Sequence, residues 1–265
     1  MRLSIILSVA GNDPKRTRNF NECIGCIEKQ TFTGYEIIVV EQILDGKIYK
    51  TSKSHKHIKI EDKQSRRFNL SWCRNVGARE ACGDTLILLD SDMVFESDYL
   101  EKISKFDGMF AAGAETYYWS RNKATDDWLA NHDFNIFRRL GGDNHKVAEV
   151  FRFRSMTVGC GYGASLVYNR NWFLDCFGGY NENFFGYGWE DKAATDTIKV
   201  LLSKTDETLC RIPAEVAHLH HNGCSRADML KNEKLYLKFK EYDQHNLASL
   251  IKTAHVGKKT EPTLI

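Results

Sequence analysis

No stretch of this sequence approaches the roughly eighteen consecutive apolar residues that a spanning helix needs, so a membrane-crossing helix is not expected from it. Neither sign of charge is in excess: 37 basic against 35 acidic residues leave a formal charge of +2, which gives no global pull toward nucleic acid or an anionic surface. Proline is scarce, with three residues in 265, and no low-complexity linker or internal repeat breaks the chain. One α/β domain, or two abutting halves, is the expected organisation, and either is long enough to bury a real core. Cysteine is present but not organised. The eight residues (Cys23, Cys26, Cys73, Cys82, Cys160, Cys176, Cys210, Cys224) lie scattered in apolar or helical contexts, without the dense framework of a small secreted scaffold. A reduced, cytoplasmic setting follows as the expectation. Cys23 and Cys26 form a C-x-x-C inside a helical pattern with no second pair at zinc-ribbon spacing, so they read as buried helix cysteines. The apolar run at Leu3–Val9 is too short for a signal peptide and reads as a first strand.

What is present is an alternation. Residues 3–9 and 36–41 are short β-branched runs separated by apolar residues at helical spacing (Phe20, Cys23, Ile24, Ile27) over residues 15–31. A third strand is expected at 57–60 and a helix at 70–81. Residues 84–89 then form the near-continuous apolar run of a central parallel strand, followed by a helix at 97–106. Such an alternation predicts a doubly wound α/β sheet that binds ligands beyond the carboxyl ends of its strands. Ser8, Val9, Ala10, Glu41 and the run Asp90-Ser91-Asp92 all fall at such ends. The second half is less regular. Residues 113–150 mix aromatics (Tyr117, Tyr118, Trp119, Trp128) with a Gly141-Gly142-Asp143-Asn144 turn, a composition suited to a surface that clasps a ligand. Residues 158–192 carry many glycines, a helix is expected at 191–203, short strands near 208–218, and a basic helix over 227–252.

Three clusters carry chemistry. Asp90 and Asp92 stand one residue apart at the exit of a buried strand, where two carboxylates repel unless a cation joins them. A turn with two solvated acids is the plainer alternative. Oxygen ligands suit Mg2+ or Mn2+, and such an ion can hold a diphosphate and stabilise its departure. Glu190 and Asp191 open a predicted helix after the glycine-rich turn Gly186-Tyr187-Gly188-Trp189, where backbone amides favour carboxylates. They cap a helix or serve an acceptor. The run His218-Leu219-His220-His221 supplies neutral nitrogen ligands for the same ion. Alternation along a strand sets His218 and His220 on one face.

The segment from Phe68-Asn69 through Arg74-Asn75-Val76-Gly77 and Ala81-Cys82-Gly83-Asp84 into Asp90-Ser91-Asp92 resembles the nucleotide-sugar core of GT-A fold glycosyltransferases. Together with Gly178-Gly179-Tyr180-Asn181-Glu182-Asn183-Phe184 and Gly186-Tyr187-Gly188-Trp189-Glu190-Asp191, it looks most like the β-1,4-galactosyltransferase branch, chondroitin-polymerase-type domains and the family 2 group. After its Glu-Asp pair that branch continues with further acids and an arginine-leucine pair, whereas this chain reads Lys192-Ala193-Ala194-Thr195-Asp196-Thr197, a departure on the acceptor side.

The resemblance implies a Rossmann-like, mostly parallel central sheet flanked by helices with a smaller acceptor-side subregion. It would form a single domain with a nucleotide-binding half (1–112), an acceptor and catalytic half (113–226) and a helical extension (227–265). It implies metal-dependent transfer of a sugar from a nucleotide-sugar, a UDP-sugar first, to an acceptor hydroxyl on a glycan, a lipid-linked carrier or another molecule, with inversion. The alternatives are a retaining N-acetylgalactosaminyltransferase-like enzyme and a non-catalytic sugar-nucleotide-binding module. By resemblance Asp191 is the base and Glu190 holds the acceptor with Tyr187, Gly188 and Trp189. Asp92 and His218 are the foremost ligands to Mn2+ or Mg2+, with Asp90 and His220 behind them and His221 set toward phosphate or water. Ser8, Val9, Ala10, Glu41, Arg74, Asn75, Asp90, Ser91 and Asp92 would line the donor. Lys231, Lys234, Lys238 and Lys240 alternate with acids, so nucleic acid is not an expected partner and the helix reads as a solvated face. Peripheral attachment to the inner face of a membrane stays open.

Overall fold

The computed structural model describes residues 2–11, 13–44, 49, 52, 54–62, 67–142, 149–154, 164–205, 210–222 and 226–241. Asp143 and Asn144 of the expected turn, Gly159, Gly161 and Gly163, Cys160 and Cys224, the residues just before Cys210, and any helix beyond 241 lie outside them.

Strands β1 (Leu3–Ala10), β2 (Tyr35–Gln42), β3 (Lys56–Ile60) and β4 (Thr85–Leu89) run parallel in the order β4-β1-β2-β3, with Leu7 opposite both Val39 and Leu89. Helices α1 (Pro14–Glu28) and α2 (Leu70–Glu80) connect them. Alternation along each strand feeds a separate core on each face. Leu3, Ile5, Leu7, Val39, Ile87 and Leu89 pack with Phe20, Cys23 and Ile27 of α1, whereas Ile6, Ile38, Val40, Leu86 and Leu88 pack with Trp72, Cys73 and Val76 of α2. Gly77 allows that second contact, because a Cβ there would stand 2.4 Å from the Ile6 side chain. Cys23 and Cys26 are free and buried, as the helical pattern suggests.

The sheet is not finished by this half of the chain. Strand β10 (Ser165–Asn169) lies antiparallel between β4 and β6 (Phe110–Ala112), and β11 (Cys210–Arg211) closes the edge, giving seven strands in the order β11-β6-β10-β4-β1-β2-β3. A second sheet of five strands has the order β5-β12-β7-β9-β8, from β5 (Met93–Phe95), β7 (Thr116–Ser120), β8 (Gly141–Gly142), β9 (Val150–Arg154) and β12 (Glu215–His218). Helices α3 (Tyr99–Ser104), α4 (Asn122–Asn131), α5 (Asn135–Leu140), α6 (Glu190–Leu202) and α7 (Arg226–Glu241) complete the fold, with a π-helical turn at Trp172–Phe177.

The second sheet divides the aromatics of residues 113–150. Tyr117, Tyr118 and Trp128 are buried, with Trp128 stacked on Phe137 at 5.6 Å, whereas Trp119 is partly exposed and its ring lies 5.2 Å from that of His218. Aromatic density there serves a core under the new sheet, and composition alone does not distinguish the two uses.

Candidate functional site

Strand β4 ends at Leu89, and Asp90 to Met93 form a tight turn in which Met93 N donates to the Asp90 carbonyl at 3.3 Å. The chain re-enters as β5, which pairs antiparallel with β12 so that Met93 faces His218. Leu219 N then donates to the Asp92 carbonyl at 2.9 Å. That register brings residues more than a hundred positions apart side by side. His218 Nε2 lies 3.4 Å from one Asp92 carboxylate oxygen, and His221 Nε2 lies 3.1 Å from the other.

Asp92, His218 and His221 can each offer a ligand atom with all three within 4.8 Å of one another. His221, not His220, therefore joins the cluster. Strand alternation stops at His218, because Leu219 is fully buried and His220 N turns to donate to Thr125 Oγ1 at 2.8 Å. Asn19, which sequence reasoning passed over, fixes this departure: its Nδ2 donates to the carbonyls of Leu219 and His220, both at 3.2 Å. A fully buried asparagine on the apolar face of α1, beside Phe20 and Cys23, is the signal that marks it.

The donor set fits a divalent metal. Asp92 Oδ1 and His218 Nδ1 are buried without hydrogen-bond partners, an arrangement a native fold keeps only where something compensates it. Burial opposes ionisation of Asp92, but His218 and His221 outweigh it and hold the carboxyl well below the usual range. For His218, burial pulls the pKa down and the Asp92 carboxylate pulls harder upward. Asp92 thus stands ionised ahead of a cation, and His218 would give up its proton to bind one.

Asp90 stands apart from that cluster. Its Oδ1 accepts from Arg74 Nη2 at 3.0 Å, while Arg74 Nη1 donates to Asp191 Oδ1 at 2.5 Å. Arg74 is 1% exposed, lies over the Tyr180 ring at 4.9 Å, and bridges the end of β4 to the first turn of α6. Its planar fork suits two carboxylates at once. Burial opposes the guanidinium charge, yet Asp191, Tyr180 and Asp90 together raise its pKa. Enclosure and the neighbouring Asp92 and Asp191 push Asp90 up to about 6 against the pull of Arg74.

Glu190 is 8% exposed, and burial, reinforced by Asp191 and opposed by Arg74, pushes its carboxyl up to about 8. Its protonated form is thereby favoured. Because an unfolded glutamate ionises near 4.5, folding takes up a proton between that value and about 8, and stability falls as pH rises through this window. Asp90 and His218, also raised, act in the same direction. In thermal melts of metal-free protein in chelator, Glu190→Gln is expected to flatten the decline in Tm between about pH 5 and pH 8. An unchanged slope would contradict the assignment.

Three expected donor-side residues make contacts within the domain. Asn75 is 1% exposed and spends its amide on Tyr180, with its Oδ1 accepting from Tyr180 N and its Nδ2 donating to Tyr180 O, both at 2.8 Å. Glu41 is fully buried, accepting from Tyr49 N at 3.0 Å and pairing with His57 Nε2 at 2.9 Å. Each oxygen of its carboxylate has one partner. Val9 is buried in the core on the α1 face. Ser8 Oγ, in contrast, is buried without a hydrogen-bond partner, and Ala10 and Ser91 are partly exposed at strand ends.

The turn before α6 is held from outside. Gly186, Gly188 and Trp189 all have positive φ (76°, 91° and 73°), a conformation that costs least at glycine. A Cβ on Gly186 would strike the Asp228 carboxylate of α7 at 2.2 Å. Asp228 is ion-paired with Arg67, Asn232 Nδ2 donates to the carbonyls of Phe185 and Tyr187 at 3.0 and 3.2 Å, and Tyr236 stacks on Trp189 at 4.9 Å. Helix α7 thus grips the Tyr187–Asp191 turn, a role its basic composition does not announce.

No curated protein sequence matches the chain significantly. Solved structures do. The mannosyltransferase PcManGT from Pyrobaculum calidifontis, solved with GDP-Man and Mn2+, is 12% identical, with 96% of this chain aligned to 69% of that one at a TM-score of 0.52. TarS 1–349 from S. aureus, in complex with UDP-GlcNAc, is 12% identical over 97% of this chain and 73% of that one, with a TM-score of 0.51. At this identity the likeness shows the GT-A fold. The sequence model described as "Glycosyltransferase like family 2" matches residues 14–224, from the start of α1 to just past the histidine run. A match of that extent takes in the end of β4, the acid-histidine cluster and the Arg74 bridge together, and the chain belongs to this family of glycosyltransferases.

Proposed function

We propose that the protein moves a sugar from a nucleotide-sugar, a UDP-sugar first among them, to an acceptor hydroxyl with inversion at the anomeric carbon. The observation that carries this reading is the Arg74 bridge, which links the donor-side Asp90 to the acceptor-side Asp191. Similar structures hold GDP-Man with Mn2+ and UDP-GlcNAc, which supports a sugar nucleotide as donor.

The chain's own residues divide the work. Arg74 engages Asp191 Oδ1, which leaves Oδ2 to accept the proton of the attacking hydroxyl. As the acceptor's hydroxyl oxygen bonds to the anomeric carbon, the bond from carbon to the diphosphate oxygen breaks and the electron pair leaves with the nucleoside diphosphate. Glu190, whose protonated form is favoured, is unsuited to be the base and suited to donate a hydrogen bond to the acceptor. Tyr187, 45% exposed, offers a flat apolar face to a sugar ring. Asp92, His218 and His221 would hold the divalent metal, whose chemistry when bound is Lewis-acid stabilisation of the departing diphosphate. Two imidazoles beside one carboxylate favour Mn2+ over the strictly oxygen-seeking Mg2+.

The test is release of nucleoside diphosphate from a panel of UDP- and GDP-sugars with Mn2+, Mg2+ or chelator, followed by NMR of the product anomer. Manganese-dependent release with inverted configuration is expected. Product that keeps the donor's configuration would remove Asp191 as base, and no release from any donor would leave only sugar-nucleotide binding.

A further inference from the structure

Among the described residues, large apolar side chains that stand open to solvent gather in one place. Met229, Leu230 and Leu237 are 37%, 48% and 51% exposed on α7, and Tyr187, 45% exposed, lies on the turn that α7 grips. Met229 is close to that turn, since a Cβ on Gly188 would lie 3.4 Å from its Cγ. The opposite face of α7 is committed to the domain through Asn232 and Tyr236, each 4% exposed. Helical spacing sets Leu230 and Leu237 two turns apart on the outward face.

The charges around them are mostly basic, with Glu233, partly exposed between Leu230 and Leu237, the acid among them. Arg226, Lys231, Lys234 and Lys238 are exposed on the same helix, whereas Asp228 is engaged by Arg67 and Glu233 is only partly exposed. Exposed leucines framed by lysines whose long stems can lie along an apolar boundary are what an interfacial helix presents to acidic headgroups. A whole-chain charge of only +2 does not register these four cations, because acids elsewhere in the chain offset them.

We propose that the outward face of α7, with Tyr187 at its edge, docks on an anionic lipid bilayer surface, the leucines entering the headgroup boundary and the cations meeting the lipid phosphates. Docking would set the Tyr187–Asp191 turn against the lipid. That this delivers a lipid-borne hydroxyl to Asp191 rests on the function proposed above, whereas the binding itself does not.

The test is cosedimentation of the full chain with vesicles of phosphatidylcholine containing phosphatidylglycerol, and with vesicles of phosphatidylcholine alone. Binding to the anionic vesicles, weakened by salt, is expected. The Leu230→Ser/Leu237→Ser variant should partition about tenfold more weakly or worse, and each of Lys231→Gln, Lys234→Gln and Lys238→Gln on the order of fivefold more weakly. These side chains face solvent, so the variants should melt as wild type does and release nucleoside diphosphate unchanged in the absence of vesicles. No binding to anionic vesicles at low salt, equal binding to both vesicle types, or a double-leucine variant that binds like wild type would overturn the proposal. So would a wild-type dimer that the leucine variant abolishes, which would assign the face to a second copy of this chain. Vesicle binding without any turnover would sustain the docking surface and remove the transfer reaction instead.

Discussion

Asp92→Asn is expected to lower metal-dependent transfer on the order of a thousandfold, a loss that saturating manganese does not recover. The carboxylate supplies the only negative charge in the Asp92, His218 and His221 group. Without it two imidazoles remain, which hold a divalent ion weakly and leave it more positive toward competing anions. The substitution is close to isosteric, and the bonds fixing the turn are backbone ones, Leu219 N to the Asp92 carbonyl and Met93 N to the Asp90 carbonyl. The variant should therefore fold, with an unchanged circular dichroism spectrum. Its manganese affinity, read by calorimetry, should fall together with kcat. Turnover equal to wild type would remove the metal cluster from the mechanism.

Asp191→Asn is expected to reduce kcat on the order of a hundred- to ten-thousandfold while donor affinity, measured without acceptor, changes little. The amide oxygen of asparagine can still accept from Arg74, and Arg74 keeps its pair with Asp90, so the bridge loses a charge without losing its geometry. What disappears is an oxygen able to take the acceptor's proton. A merely structural role for Asp191 would instead show as a lowered Tm with kcat within a few-fold of wild type.

The parts of the molecule that local chemistry dictates could be read from the residues. The apolar run ending at Leu89 marks a strand covered on both faces, and Asp90 and Asp92 follow it directly. Helices α1, α2 and α6 lie within a few residues of their expected bounds, because apolar spacing and capping residues such as Asp13 and Asn69 are local signals. What depended on register was not legible. His221 reaches Asp92 only because β12 pairs with β5 and the chain then breaks its alternation around Leu219, with Asn19 holding the break from another helix. Asn75 and Glu41 sit where donor contacts are expected, yet their partners, Tyr180 and His57, come from segments whose approach no spacing encodes. The grip of α7 on the turn at Gly186 is long-range in the same way.

The position of β10 has a consequence for how the molecule assembles. Strands β4 and β6 are never neighbours, because β10, made later, lies hydrogen-bonded between them. A growing chain that has reached only Ala112 therefore carries β4 with one open edge and β6 with no partner on which to settle. Unpaired strand edges of this kind invite association between chains, and pairings of long sequence separation form slowly. The part of the chain that ends at Ala112 is thus the first to be synthesised and cannot be the first to finish. Its sheet closes only after residues 165–169 have been synthesised, and open strand edges in that interval favour association between chains.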